Sequence, residues 1–174
     1  MLIPKNIPPH IGYYLAGFAD GEGSFNISFR KRKDNRMPWK VSACFHISHK
    51  DRVILSLYKR YLQCGTLRER RDGVVYFEVN NLNAIKQNVI PFFKHFRFLS
   101  AKKKRDFSKF INIVQLIDNQ EHVILDGMKK LLSIRRDMND GGKRKFSEKE
   151  ILRAFSSNES SETERRTALE NTVE

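Results

Sequence analysis

The sequence predicts an α+β fold in which a four-stranded antiparallel sheet carries helices on one face. Apolar and polar residues alternate in two pairs of segments, and this period of two is typical of half-buried strands. Segments with helical spacing come before, between and after the two pairs. The predicted order is therefore helix, strand, strand, helix, strand, strand, helix. The open face of such a sheet is available to solvent or to a ligand.

The chain of 174 residues is long enough for one domain with a sizeable core, which we assign to residues 1–155. Residues 156–174 are polar and contain five Glu but only two Arg. A segment of this composition buries too little apolar surface to fold, so we expect a disordered acidic tail.

The net charge indicates a nucleic acid partner. The chain contains 33 Lys and Arg against 20 Asp and Glu, for a formal charge of +13. Basic ribosomal proteins share this feature, so charge alone does not identify an activity. The two cysteines are too few for a disulfide framework and lack zinc-site spacing, which favours a reducing compartment. The sequence contains no apolar run typical of a membrane span or secretory signal, so we expect no membrane partner and an intracellular location, in the cytoplasm or an organelle matrix.

The first helix begins near Pro8-Pro9 and runs to about Asp20. Part of its surface carries small side chains spaced three to four residues apart, which places them on one face. Such a face lets two helices meet backbone to backbone. We predict that Gly12, Leu15, Ala16 and Ala19 form an interface with another helix. A symmetric partner would then bring two Glu22 carboxylates side by side.

Two carboxylates, Asp20 and Glu22, follow at the C-terminal end of this helix. They lie at the negative pole of the helix dipole, where stability alone would favour Lys or Arg. Their position is understandable if a cation is held there. Gly21 and Gly23 let the chain turn sharply and let a bulky anion approach the backbone.

The two strand pairs flank a second helix. We predict strands at residues 24–32 and 40–47, joined by a polar turn, and then a helix at 51–61 with Val53, Tyr58 and Tyr61 on its apolar side. Strands at 66–71 and 74–80 are joined by Asp72-Gly73, a strong hairpin signal.

The remainder of the chain is predicted to be helical. We expect helices at residues 82–89, 100–117 and 120–138. A short helix begins at Ser147, where Ser-x-x-Glu forms a capping box with Glu150.

The open face of the predicted sheet is polar and basic. Arg can pair with guanine and Asn with adenine in a major groove, and a strand of eight residues spans about 26 Å, or roughly 8 base pairs. An ordinary solvated sheet face is the alternative, but the many arginines and few acids favour DNA. The candidate DNA-binding residues are Asn26, Ser28, Arg30, Arg32, Lys40, Ser42, His46, Arg68, Arg70 and Tyr76.

The segment LAGFADGEG at residues 15–23 resembles the signature of the LAGLIDADG homing endonucleases. Three further segments resemble this family in the right order: FHISHKD at 45–51, FLSAKKKRDF at 98–107, and the stretch from residue 121 to 139. Together they cover roughly residues 11–150. The resemblance implies the αββαββα homing-endonuclease fold, with the motif helix at the dimer interface.

The resemblance also implies roles for individual residues. Glu22 and the carbonyl of Gly21 would bind the catalytic Mg²⁺, and Mn²⁺ or Ca²⁺ could substitute for it. Asp20 would mainly cap and orient the helix pair, with a secondary role or none in metal binding. His49 stands where the family often has a water-orienting Gln, and this departure leaves its role open. The lysine that stabilises the transition state lies within residues 102–104, with Lys102 preferred and Lys103 next.

The function implied by the resemblance is that of a homodimeric, intron-encoded endonuclease. It would use Mg²⁺ to make a staggered double-strand break in a long, nearly palindromic DNA target, and the lack of flanking splicing sequence suggests a free-standing intron product. Two alternatives share the scaffold. One is an RNA-splicing maturase with intron RNA as partner, and the other is a DNA-binding protein that has lost catalysis.

Overall fold

One layer of the protein is a four-stranded antiparallel sheet, and the other is a set of helices packed on one of its faces. In the computed structural model, residues 1–32, 37–141 and 144–155 are described. The strands are β1 Gly23–Lys31, β2 Trp39–His49, β3 Thr66–Glu69 and β4 Val75–Val79, in the spatial order β1-β2-β4-β3. Each neighbouring pair is antiparallel, as predicted.

The helices follow the predicted order. They are α1 Pro9–Glu22, α2 Arg52–Leu62, α3 Leu82–Ala84, α4 Ile90–His95, α5 Ala101–Asp118, α6 Leu125–Arg136 and α7 at residues 148–155. Short 3₁₀ turns occur at Pro4–Asn6, Glu121–Val123 and Met138–Gly141. No helix in the described ranges is long and apolar enough to cross a membrane.

The core lies between the helices and the inner face of the sheet. Burial alternates along β1 and β2, so that Phe25, Ile27 and Phe45 are buried while their neighbours are partly exposed. The ring centroid of Phe25 lies 5.1 Å from that of Phe45 and 4.9 Å from that of Phe110. This aromatic cluster packs the sheet against α5.

Helix α1 is longer than predicted and ends at Glu22 rather than near Asp20. Strand β1 begins at the next residue, Gly23, whose N–H donates to the carbonyl of Ala19. A Cβ at Gly23 would lie 2.7 Å from that carbonyl oxygen, so glycine is required for the close junction. Glu22 is therefore held between two regular elements and not on a flexible loop.

The helix predicted at 82–89 extends beyond Pro91. A π-helical turn, Ile85–Val89, links α3 to α4, and Pro91 lies in the first turn of α4. Proline has no N–H to donate to the carbonyl four residues earlier, which belongs to Gln87. That carbonyl instead accepts from the N–H of the buried Leu2 at 2.9 Å. A contact distant in sequence thus compensates for the proline.

Three other local predictions were wrong. The helix expected at 120–138 is broken at Ile124, whose backbone is extended, and α6 begins at Leu125. Gly127, in the first turn of α6, packs on the carbonyl of Glu121, where a Cβ would lie only 1.9 Å away. The first strand of the hairpin ends at Glu69, so Arg70 lies in the turn. Val53 is 68% exposed, because α2 instead buries Leu55, Tyr58 and Leu62.

The Asp72-Gly73 turn forms as predicted, with Gly73 at a positive φ of 77° and the Asp72 side chain accepting from the N–H of Val74. The side chain of Ser147 caps α7, but Glu150 pairs with Lys31 of β1 at 2.7 Å. The predicted acidic tail at 156–174 lies outside the described residues.

Candidate active site and nucleic-acid interface

The small residues of α1 lie inside the protomer. Leu15, Ala16 and Ala19 are each at most 2% exposed, and Gly12 faces the ring of Phe96. A Cβ at Gly12 would lie 2.2 Å from an atom of that ring. The prediction that Gly12, Leu15, Ala16 and Ala19 meet a partner helix is therefore wrong. These residues bring α1 close to its own core.

The opposite side of α1 carries a second set of small residues. Gly17 and Gly21 are exposed, and a Cβ at either would meet no atom within 4 Å. Tyr13 and Tyr14 lie on the same exposed side, 60% and 48% exposed. Glycines four residues apart on a free helix face allow close approach of another helix.

Asp20 is engaged in contacts with the loop before α5. Its Oδ2 accepts from the backbone N–H of Leu99 at 3.1 Å and of Ser100 at 2.9 Å, and its Oδ1 accepts from the Ser100 hydroxyl. Although burial opposes it, these hydrogen bonds lower the pKa of Asp20. Ser100 in turn caps α5 by accepting from the N–H of Lys103. Asp20 thus fixes the start of α5 against the end of α1.

The two candidate lysines point in different directions. Lys102 pairs with Asp140 and is exposed to solvent. Lys103 is half-buried and donates through Nζ to the carbonyl of Gly23, the residue after Glu22. Burial lowers the pKa of Lys103, and the nearby Glu22 carboxylate is among the charges that oppose this shift. The structure therefore supports Lys103, not the preferred Lys102, as the lysine beside the acidic end of α1.

Glu22 is exposed at the junction of α1 and β1. Carboxylate and backbone carbonyl oxygens at such an exposed helix end match the ligand preference of a hard divalent ion. Within the described ranges, no three His, Cys, Asp or Glu side chains come together as a metal site. A metal at Glu22 would thus need ligands from outside one protomer, such as phosphate, water or a second copy.

His49 lies at the end of β2, close to α1. Its ring is edge-on to Phe18, with a centroid separation of 5.3 Å, and its Nδ1 accepts from the N–H of Asp51 at 3.0 Å. With Nδ1 accepting, a neutral ring carries its proton on Nε2. The structure therefore places His49 against Phe18 and the start of α2.

The open face of the sheet carries most of the predicted DNA-binding residues. By strand register, eight of the ten share this face, while Arg32 and Arg70 lie just beyond strand ends. The guanidinium of Arg70 donates to the hydroxyl of Tyr76 at 2.8 Å and pairs with Asp72 at 3.1 Å. The eight are Asn26, Ser28, Arg30, Lys40, Ser42, His46, Arg68 and Tyr76.

Two residues near this face were missing from the candidates. Glu78 lies opposite His46 in the β2–β4 register, in the middle of the basic surface. Asn139 reaches the face from the turn after α6, where its amide donates to the carbonyl of Phe25 and to Asn26. The alternation in β4 marks Glu78 as outward-facing, whereas no local pattern could bring Asn139 to β1 over more than a hundred residues.

Comparisons with known proteins agree with this geometry. The model of the LAGLIDADG endonuclease family matches residues 15–114. The "Homing endonuclease I-ApeII" of Aeropyrum pernix is 30% identical over 148 residues, which cover 80% of this chain and 87% of that protein. The "Probable intron-encoded endonuclease 2" of Neurospora crassa is 31% identical over 132 residues, or 74% of this chain.

Similar solved structures point to the same fold. The archaeal intron-encoded homing endonuclease I-Vdi141I, solved in complex with DNA, has a TM-score of 0.75 and 26% identity, covering 86% of this chain and 96% of that one. The chain spans only 29% and 24% of the length of two Neurospora crassa relatives. Its match to the family model covers more than half of the residues and includes the C-terminal part of α1, the sheet and most of α5. The chain belongs to the LAGLIDADG endonuclease family.

Proposed function

We propose that this chain is a site-specific homing endonuclease that acts as a homodimer and uses Mg²⁺ to make a staggered double-strand break in a long, nearly palindromic DNA target. One observation carries the proposal. An exposed acid, Glu22, is fixed where α1 meets the first strand of a basic sheet, with the Lys103 ammonium beside it. The relatives and the solved neighbour with DNA, described by name as endonucleases, support the same activity.

The chemistry follows from the placement of these groups. Hydrolysis requires attack of water on phosphorus and departure of the 3′ oxygen, with extra negative charge on the phosphate in the transition state. Glu22 and the Gly21 carbonyl would hold a divalent ion, which would supply water activation and charge stabilisation for this reaction. Lys103 lies on the same side and can donate to the charged phosphate oxygens.

The homodimer is supported by what one protomer lacks. A single chain offers one exposed acid at this position and, within the described ranges, no larger metal-binding cluster. The free face of α1 at Gly17 and Gly21 lets a second copy approach closely, and its axis would pass near Glu22. Two copies would then supply one acid for each DNA strand. A two-fold protein also recognises a two-fold target.

A cleavage assay tests the proposal. The target is first selected by binding from a randomised duplex library in EDTA and is then incubated with the protein and Mg²⁺. We expect cuts in both strands, no cutting without a divalent ion, and loss of cutting with retained binding in Glu22→Gln. Glu69→Gln is the matched control, because Glu69 is also exposed on a regular element but pairs with Arg52.

Other outcomes of this assay would replace the proposal. Tight binding without cleavage would favour a DNA-binding protein without catalysis. Selection of no duplex, together with tight binding of a structured intron RNA, would favour a maturase.

A further inference from the structure

The centre of the open sheet face contains a chain of hydrogen bonds whose direction is fixed by the backbone. The Nδ2 of Asn139 donates to the carbonyl of Phe25 at 2.9 Å and to Oδ1 of Asn26 at 3.3 Å. A main-chain carbonyl only accepts, so the Asn139 atom facing it must be the amide nitrogen. The Asn26 atom facing that nitrogen must then be the oxygen.

The orientation of the Asn26 amide determines which nitrogen of His46 carries the proton. With its oxygen turned to Asn139, Asn26 directs Nδ2 toward Nδ1 of His46 at 2.9 Å and toward the Ser24 hydroxyl at 3.1 Å. An amide nitrogen donates only, so Nδ1 of His46 accepts and the ring proton is on Nε2. Burial lowers the pKa of His46, against the attraction of Glu78, and so favours the neutral ring.

Glu78 provides an acceptor next to this donor. It lies directly opposite His46 in the β2–β4 register, and its Oε1 accepts from Sγ of Cys44 at 3.4 Å. Within the part of the chain that the structure describes, neither Nε2 of His46 nor Oε2 of Glu78 takes part in a hydrogen bond or ion pair. Both side chains are partly exposed on the open face. The face thus presents one oriented N–H donor and one carboxylate acceptor on neighbouring strands.

We infer that His46 and Glu78 together read one G·C base pair in each half of the DNA target, with His46 donating to guanine and Glu78 accepting from cytosine. In the major groove guanine offers the acceptors N7 and O6, and cytosine offers the N4 amino donor. The inference rests on the proposed function. It names a sequence preference that the polar face would impose.

Strand geometry favours G·C over adenine, which also carries a donor and an acceptor. Adenine presents both on one base, a pattern matched by the amide of a single Asn or Gln side chain. His46 and Glu78 project from opposed residues of two strands, which are about 4.5–5.5 Å apart. A donor and an acceptor separated in this way match groups on the two opposite bases of one pair.

These hydrogen bonds also change the role expected for Asn26. Its amide is used by Asn139, Ser24 and His46, so it is not free to pair with adenine as the sequence had suggested. Asn26 and Asn139 are positioning residues that orient His46. Asn139 has a positive φ of 52°, a conformation that asparagine tolerates better than most residues.

Binding selection from a randomised duplex library, in EDTA to prevent cleavage, tests this inference. We expect the unmodified protein to select G·C at one symmetric position in each half-site. His46→Ala and Glu78→Ala should both lose the preference at that same position and keep the preferences elsewhere. Glu69→Ala is the matched control, because its side chain lies on the other face of the sheet by register and pairs with Arg52.

A base analogue separates a direct contact from a general effect on folding. Replacing that guanine by 7-deazaguanine, which lacks N7, should weaken binding of the unmodified protein roughly tenfold, the loss of one good base contact. Binding by His46→Ala should not respond to the analogue. Asn139→Asp keeps the size of the side chain but replaces the amide donor, so it should also lose sensitivity to the analogue while melting as a folded protein.

Several outcomes would overturn the inference. These are selection of A·T at the affected position, effects of the two variants at different positions, or a motif unchanged by either variant. If the protein selects and cuts a target but shows one of these results, the inference alone fails. If it selects no sequence at all, the proposed function fails with it.

Discussion

At the scale of single residues, side chains of the same type that are close in sequence contact different partners in the structure. Lys102 and Lys103 differ by one position, but a helix turns by about 100° per residue, so one meets Asp140 and the other the Gly23 carbonyl. The carboxylates of Asp20 and Glu22, two positions apart, also have different surroundings. Asp20 accepts three hydrogen bonds within the protomer, and Glu22 remains exposed for a ligand.

This difference predicts unequal effects of two alanine substitutions. Lys103→Ala should lower the single-turnover cleavage rate by about 10²–10³-fold, as expected for removing one donor to a charged transition state. Lys102→Ala should remain within a few-fold of the unmodified protein, because its ammonium is directed to Asp140.

The rates are measured on the selected duplex at saturating protein, with thermal unfolding of each variant checked. Lys104→Ala serves as the control from the same helix, since it is exposed to solvent. A larger loss in Lys102→Ala than in Lys103→Ala would show that the catalytic lysine has been misassigned.

At the scale of elements, α1 has two faces of small residues with different tasks. The face of Gly12, Ala16 and Ala19 packs into the protomer, and the face of Gly17 and Gly21 is free. Both sets have a spacing of three or four residues, and the interface predicted from the sequence involves only the first. Only the position of Phe96, which follows from tertiary packing, shows which face is buried.

Substitutions on the two faces should therefore have different consequences. Gly17→Leu adds bulk in open space, so the protomer should keep its stability while dimers and cleavage are lost. Gly12→Ala should instead lower the free energy of unfolding by about 1–3 kcal/mol, because its Cβ collides with the ring of Phe96.

Sedimentation equilibrium and thermal unfolding distinguish the two variants. A Gly17→Leu protein that still sediments as a dimer and cuts both strands would place the interface elsewhere.

At the scale of the whole molecule, the sheet and the order of elements could be predicted from the sequence because strand alternation is a local signal. Phe25, Ile27 and Phe45 turn inward as their period of two requires. Several features depend on residues that are distant in sequence. Leu2 satisfies the carbonyl released by Pro91, and Asn139 orients Asn26 and through it His46; neither contact can be seen in a short window of sequence. The break before α6 is local, but the close approach of the Glu121 carbonyl to Gly127 is a backbone contact that residue spacing does not show.

The charge of the molecule predicts a strong dependence of DNA binding on salt. With several Lys and Arg of the open face on phosphates, log K should fall linearly with log salt, with a slope of about −0.9 for each phosphate neutralised. Six or more contacts would reduce affinity by about 10³-fold or more between 50 and 200 mM salt. Fluorescence anisotropy with the selected duplex measures this slope. A slope near zero would exclude the basic sheet as the binding surface.

We expect two copies of α1 to place a pair of Glu22 carboxylates beside adjacent scissile phosphates. Anomalous scattering from Mn²⁺ in crystals of the protein with its selected duplex measures this arrangement. The expected complex has two protomers related by a two-fold axis near Gly17 and Gly21, and Mn²⁺ about 2 Å from oxygens of both Glu22 carboxylates and of DNA phosphates. Glu22 carboxylates on distant sides of the complex, or manganese bound only elsewhere, would contradict it.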